Sequence, residues 1–139
     1  MPADPQVIDL QIDPDARLAA AAGGAARYLA DAAGLDTEAV SRLREATVTA
    51  CLEAFQSLTP EHPFLRVICS RFADRIEIAL AHEGASAPAV GLDFIAGFAG
   101  EIGAPAGIPA GVDRVQYDST GGQAVTRLTK YLSSNSAST

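Results

Sequence analysis

The chain has 139 residues, 48% of them hydrophobic, and carries 17 acidic against 10 basic side chains, a formal charge of −7. That length suits one domain, 1–139, around one core, and that charge excludes a sequence-independent grip on phosphate backbones, so no nucleic acid is expected as a partner. Alanine supplies about a fifth of the residues and aromatics only 6%, with no Trp, so the core is expected to be fine-grained.

No apolar run reaches the roughly 18 residues that span a bilayer, and Met1-Pro2-Ala3-Asp4 lacks the basic start of a secretory leader. No membrane association is expected, and the chain reads as cytoplasmic.

Val7 to Ile12 alternates, with Ile8, Leu10 and Ile12 on one face and Asp9 and Gln11 on the other, the period of a half-buried strand. Asp13 is placed to cap a helix opening at Pro14, which carries Leu18, Ala22, Ala25, Tyr28, Leu29 and Ala32 along one side until Gly34 stops it. Asp36 or Thr37 can cap the next helix, where Val40, Leu43, Thr47, Ala50, Cys51, Ala54 and Leu58 recur at three- and four-residue intervals. The acids Asp13, Asp15, Asp36 and Glu38 suit the positive ends of these two helices.

After Pro60-Glu61-His62-Pro63, the runs Phe64 to Phe72 and Arg75 to Ala81 predict a hairpin across Ala73-Asp74, with His62 as a solvated loop residue. Cys51 and Cys69 fall in apolar patterns without C-x-x-C spacing or a neighbouring histidine, and read as reduced core thiols. Between Ser86 and Gly111, Val90, Leu92, Phe94, Ile95 and Phe98 suggest a short helix interrupted by glycines and prolines. Val112 to Tyr117 and Gln123 to Leu132 predict strands around a turn formed by Asp118, Ser119, Thr120, Gly121 and Gly122, and the tail 133–139 is expected to be disordered. The order β, α, α, β, β, weak α, β, β predicts an α+β fold. It is expected as a two-layer α/β sandwich, a mostly antiparallel mixed sheet covered on one face by helices.

Three local words carry a resemblance. Leu43 to Ser57 looks like a helix bearing E-A-C-x-N-A, Arg75 to Gly84 is similar to a strand ending in D-x-G, and Val112 to Lys130 resembles a closing hairpin. Together they resemble the bacterial anti-sigma factor serine kinases, whose ATP-binding domain belongs to the GHKL superfamily shared with histidine kinases. The likeness covers nearly the whole chain and implies the GHKL histidine-kinase-like ATPase fold.

The resemblance also implies where chemistry sits. In the family a Glu on the second helix acts as general base toward a protein serine, and an Asn one turn later ligates Mg²⁺; an i, i+4 spacing holds both on one side. Those positions here are Thr49, which cannot take a proton usefully near neutral pH, and Glu53, which can hold Mg²⁺ only as a carboxylate. Glu45, one turn before Thr49, is the nearest substitute base. The adenine-reading D-x-G triplet is represented by His82-Glu83-Gly84, and Glu83 would project from the opposite strand face to His82. Of the phosphate-binding G-x-G-L run only Gly91-Leu92 remains, while Pro105 and Pro109 remove amide donors from the glycine-rich stretch that follows.

The implied cofactor contacts His82, Gly84 and Gly91 are therefore degenerate. The expectation is a regulatory protein-binding module that has lost ATP binding and kinase activity, with no cofactor. Its implied partners are a sigma factor or a STAS-type anti-anti-sigma protein, with a homodimer through the first strand and helix.

Two alternatives stand beside it. One is an active ATP-dependent serine/threonine kinase using Mg²⁺ on Glu53 and Glu45 as base. The other is a histidine-kinase-derived phosphotransfer docking protein that binds response regulators. Without the resemblance, Thr49 and Glu53 read as the polar margin of a helix, and Ser119 and Thr120 as turn residues.

Overall fold

The computed structural model describes residues 6–83 and 110–132. Its elements run β1 (Gln6–Ile12), α1 (Ala16–Ala32), α2 (Thr37–Phe55), β2 (Leu65–Arg71), β3 (Arg75–Glu83), β4 (Arg114–Thr120) and β5 (Gln123–Tyr131). The α+β class is as expected, but the sheet is not mixed: its order is β1-β2-β3-β5-β4 and every neighbouring pair is antiparallel. β3 and β4 do run in the same direction, yet β5 lies between them and takes the hydrogen bonds of both. The expected helix between Ser86 and Gly111, the cofactor positions Gly84 and Gly91, and the tail 133–139 lie outside the described residues, apart from Ala110 and Gly111.

The register sorts side chains onto two faces. Ile8 opposite Cys69, Leu10 opposite Val67 and Ile12 opposite Leu65 continue into Cys69 opposite Ile78 and Val67 opposite Leu80, then Ile78 opposite Leu128. Leu65, Val67, Cys69, Ile76, Ile78, Leu80 and Leu128 are buried beneath the helices. The period-2 pattern of the sequence is therefore the inner face of the sheet. α1 and α2 lie mainly over β1, β2 and β3.

Alanine and glycine let the two helices approach closely. Ala19, Ala22, Gly23, Ala26, Leu29 and Ala30 form the buried side of α1, whereas Tyr28 is 59% exposed and Ala32 is exposed, contrary to the expected stripe. The stripe turns because α1 packs on α2 as well as on the sheet: a Cβ at Gly23 would stand 2.5 Å from Val48 Cγ2. α1 also starts later than expected. Asp15, not Asp13, is its N-cap, accepting from the Arg17 amide at 2.8 Å and from the Arg17 guanidinium at 3.0 Å, while the Asp13 carbonyl turns the chain by accepting from Asp15 N at 2.7 Å. At the other end Leu35 N donates to Ala30 O and Gly34 N to Asp31 O, a Schellman closure.

Asp36 caps α2 by accepting from Ala39 N at 2.8 Å. Val40, Leu43, Ala46, Thr47 and Cys51 are buried along it, and Thr47 satisfies its hydroxyl by donating to Leu43 O. The β4–β5 turn is shorter than the sequence suggests. Gly121 and Gly122 alone form it, at φ +61° and +82°, as a two-residue hairpin of the primed type requires, so Asp118, Ser119 and Thr120 belong to the strand. Ahead of β4, Gly111 at φ +99° lies where a Cβ would stand 2.6 Å from the carbonyl of Arg42, which pins the entry to β4 against α2. Among the described residues no helix is long and apolar enough to cross a membrane.

Candidate functional site

The two edges of α2 differ. Arg44 and Val48 face α1 at Gly23. Glu53, nine residues or about two and a half turns beyond Arg44, emerges on the opposite side. Arg42 shares that side, because Gly111 packs on its carbonyl. This edge borders the inner face of the β5–β4 half of the sheet. There Leu80, Thr126 and Tyr117 form one cross-strand row and His82, Ala124 and Ser119 the next.

Toward the His82 end of this edge, Tyr117 of β4 lies opposite Thr126 of β5, one cross-strand row from His82 of β3, and Glu53 of α2, one turn after Thr49, is near enough to act on the Tyr117 hydroxyl. Thr49 and Glu53 are exposed, Tyr117 is 50% exposed, and His82 and Thr126 are half-buried. The Tyr117 hydroxyl is held above its ordinary pKa, first by burial and then by the negative charge of Glu53. A phenolate beside that carboxylate is disfavoured twice over.

Glu45 shares the exposed side of α2 with Thr49, but each four-residue step turns the helix by roughly 40°, so Glu45 points about 80° away from Glu53. His82 and Glu83 do face opposite ways. The His82 ring lies 3.3 Å from the backbone oxygen of Glu83, while the Glu83 carboxylate reaches His62 Nε2 at 3.6 Å. His62 is thus tied to the end of β3 and meets Phe64 edge-on at 6.4 Å between ring centroids, a more engaged residue than the solvated one expected.

Near the start of α2, Asp36, Glu38, Ala39, Arg42, Gly111 and Lys130 line a shallow depression. Its two cations are already engaged: Arg42 pairs with Glu38, and Lys130 stands 3.7 Å from Asp113. The outer face of the sheet carries other ion pairs, Asp9 with Arg66 at 2.6 Å and a chain from Arg75 through Glu77 and Arg127 to Asp118. Those arginines cannot serve this edge from the opposite face.

The described residues hold few donors for a magnesium triphosphate. Glu53 supplies one carboxylate, and among the described residues no three His, Cys, Asp or Glu side chains gather as a metal cluster. Mg²⁺ is commonly held by one or two carboxylates together with substrate phosphates, and the described side chains around Glu53 offer those phosphates no fixed cation. Thr49 offers no base. Cys51 and Cys69 are free thiols buried in the core, and burial pushes both up to about 12, which removes them as nucleophiles.

Tyr117 is the site residue that sequence reasoning missed. Its signal was present, since it stands two positions from Val115 and so shares the inner face, but only the register of β4 on β5 brings it to Glu53. No family model matches the chain, and no curated protein matches it either.

Proposed function

We propose that the chain is a regulatory protein-binding module resembling the GHKL ATPase domain of an anti-sigma factor serine kinase, with ATP binding and phosphoryl transfer lost. The observation that supports this reading is that Glu53 of α2, one turn after Thr49, acts on Tyr117 of β4, which lies one cross-strand row from His82. That is where the resemblance puts base, metal ligand and adenine acceptor. In their place stand a hydroxyl, an added carboxylate and an imidazole.

Phosphoryl transfer depends on positioning and electrostatic stabilisation, and a carboxylate set against a triphosphate without a compensating cation works against both. The order of elements and the single helical layer support the fold part of the reading. The resemblance supplies the partner class, a sigma factor or a STAS-type anti-anti-sigma protein.

A calorimetric titration with Mg²⁺ and ATP tests the loss of nucleotide binding. No saturable heat is expected at millimolar nucleotide, and saturable micromolar binding overturns the reading. Transfer of labelled phosphate from ATP to a STAS-type protein would establish the active kinase instead.

A further inference from the structure

We infer that the outer face of the sheet is an interface between two copies of this chain, packed sheet to sheet about a two-fold axis running along β3. Both helices lie on the inner face. An antiparallel sheet can leave its other face in water, but this one is more than a polar surface. Its middle is low and apolar. Ala79 and Ala81 take successive outward positions of β3, with Ile68 beside Ala79 on β2 and Val125 beside Ala81 on β5. Side chains as small as alanine let a second sheet approach to the ~10 Å of packed faces. At one end Tyr131, 45% exposed, stands opposite Arg75, whose guanidinium lies 4.2 Å over the Phe72 ring. Arginine and aromatic rings are enriched where proteins meet, and lysine is depleted.

Charge complementarity names the occupant. On this face Arg66, Arg75, Arg114 and Arg127 balance Asp9, Glu77, Glu83 and Asp118, although the chain as a whole carries −7. Two copies therefore meet here without net repulsion. Asp9 pairs with Arg66 across β1 and β2, and Asp118 with Arg127 across β4 and β5, so β3 lies midway between the two couples. A half-turn about β3 sets β1 and β2 of one copy over β4 and β5 of the other. Arg66 shares a cross-strand row with Asp118, and Asp9 shares one with Arg127. Each arginine thus comes beside a carboxylate of the second copy, and Ile68 comes beside its Val125. The two Glu77 side chains meet near the axis, each held by Arg75 of its own chain at 2.7 Å. Five strands about 4.8 Å apart, seven residues long at about 3.3 Å each, offer roughly 500 Å² per copy. About 1,000 Å² in all is the lower end for a specific interface, so the dimer is reversible, with a dissociation constant on the order of 10–100 μM.

Sedimentation equilibrium of the full chain from about 5 to 500 μM is expected to show monomer and dimer in exchange. Arg66→Asp brings like charges together twice in its own dimer, and so does Asp118→Arg. Each alone should associate at least about tenfold more weakly than the parent chain. An equimolar mixture of the two should regain dimers of near-parent strength, because a mixed pair joins opposite charges at both places. Within one chain Arg66 and Asp118 stand three strands, roughly 14 Å, apart, so no repair inside the fold mimics this. On dilution of the labelled parent chain, the amide shifts should centre on Ile68, Ala79, Ala81 and Val125. A chain that stays monomeric, a dimer indifferent to both substitutions, or a mixture no stronger than its parts overturns the inference. Dilution shifts centred on α1, with dissociation by Tyr28→Glu, overturn it too and assign the dimer to the first strand and helix.

Discussion

Glu53 of α2 and Tyr117 of β4, sixty-four positions apart in sequence, lie within electrostatic reach of each other, and the carboxylate acts with burial to hold the phenol protonated. Neutralising Glu53 removes the second cause and leaves the first. Glu53→Gln is therefore expected to lower the Tyr117 pKa toward, but not down to, its ordinary value, measured by NMR titration of the Tyr117 ring with Tyr28 and Tyr131 as internal references. An unchanged Tyr117 titration would separate the two residues.

Gly23 and Gly24 are neighbours in α1 with opposite demands. A methyl at Gly23 meets Val48 Cγ2 at 2.5 Å and the Arg44 carbonyl at 3.2 Å, whereas one at Gly24 meets nothing within 4 Å. Replacing glycine by alanine in a helix gains up to ~1 kcal/mol from propensity, and overpacking costs ~1–3 kcal/mol. Gly24→Ala is expected to stabilise the protein by ~0.5–1 kcal/mol in urea denaturation and Gly23→Ala to destabilise it by ~1 kcal/mol. Trimming the opposing side chain in a Gly23→Ala, Val48→Ala double variant should return part of the loss, since the two sites share one contact.

Much of the fold is legible where one local signal acts alone. The alternation of Ile8, Leu10 and Ile12, the capping carboxylate of Asp36 and the hairpin between β2 and β3 need only the period of the chain and the chemistry of its ends. The reading slips where two elements compete for one surface. The stripe of α1 rotates away from Tyr28 because α2 claims Gly23, and no helical period carries that information. Asp13 and Asp15 are equally good caps by composition, and the turn after β1 decides between them. At the site, Thr49 and Glu53 come from the resemblance, and the four-residue spacing only keeps them on one side of α2. Tyr117 depends on strand register across a glycine turn, and the turn itself is two residues rather than five.

The ion pair between Asp9 and Arg66 bridges β1 and β2 on the outer face, with the guanidinium donating at 3.0 and 2.6 Å. The Arg66 hydrogen bonds hold the Asp9 carboxyl below its ordinary value, opposed in part by desolvation. A carboxyl whose folded pKa is lowered contributes stability present above its unfolded pKa and lost as pH falls through the folded one. Asp9→Asn should thus flatten the acid limb of stability below about pH 4, the ordinary carboxylate range. The stability difference from the parent chain should shrink as the pH falls, measured by urea denaturation across that range. A constant difference at every pH would mean that the pair acts through packing of the strands rather than through charge.

Cys51 of α2 and Cys69 of β2 lie in the same core, each fully buried, and ionisation of Cys51 is opposed first by desolvation and then by any thiolate at Cys69. With ordinary values near 9 raised to about 12, the thiolate population of each near neutral pH falls about a thousandfold. Access is closed as well, so reaction requires opening of the helix layer from the sheet. The native protein is expected to leave both thiols unmodified by a disulfide reagent, and urea should release both together at the same midpoint as loss of helical circular dichroism. Early modification of Cys51 alone would show that α2 lifts from β2 before the sheet unfolds, and reaction of both thiols in the native state would place them outside a closed core.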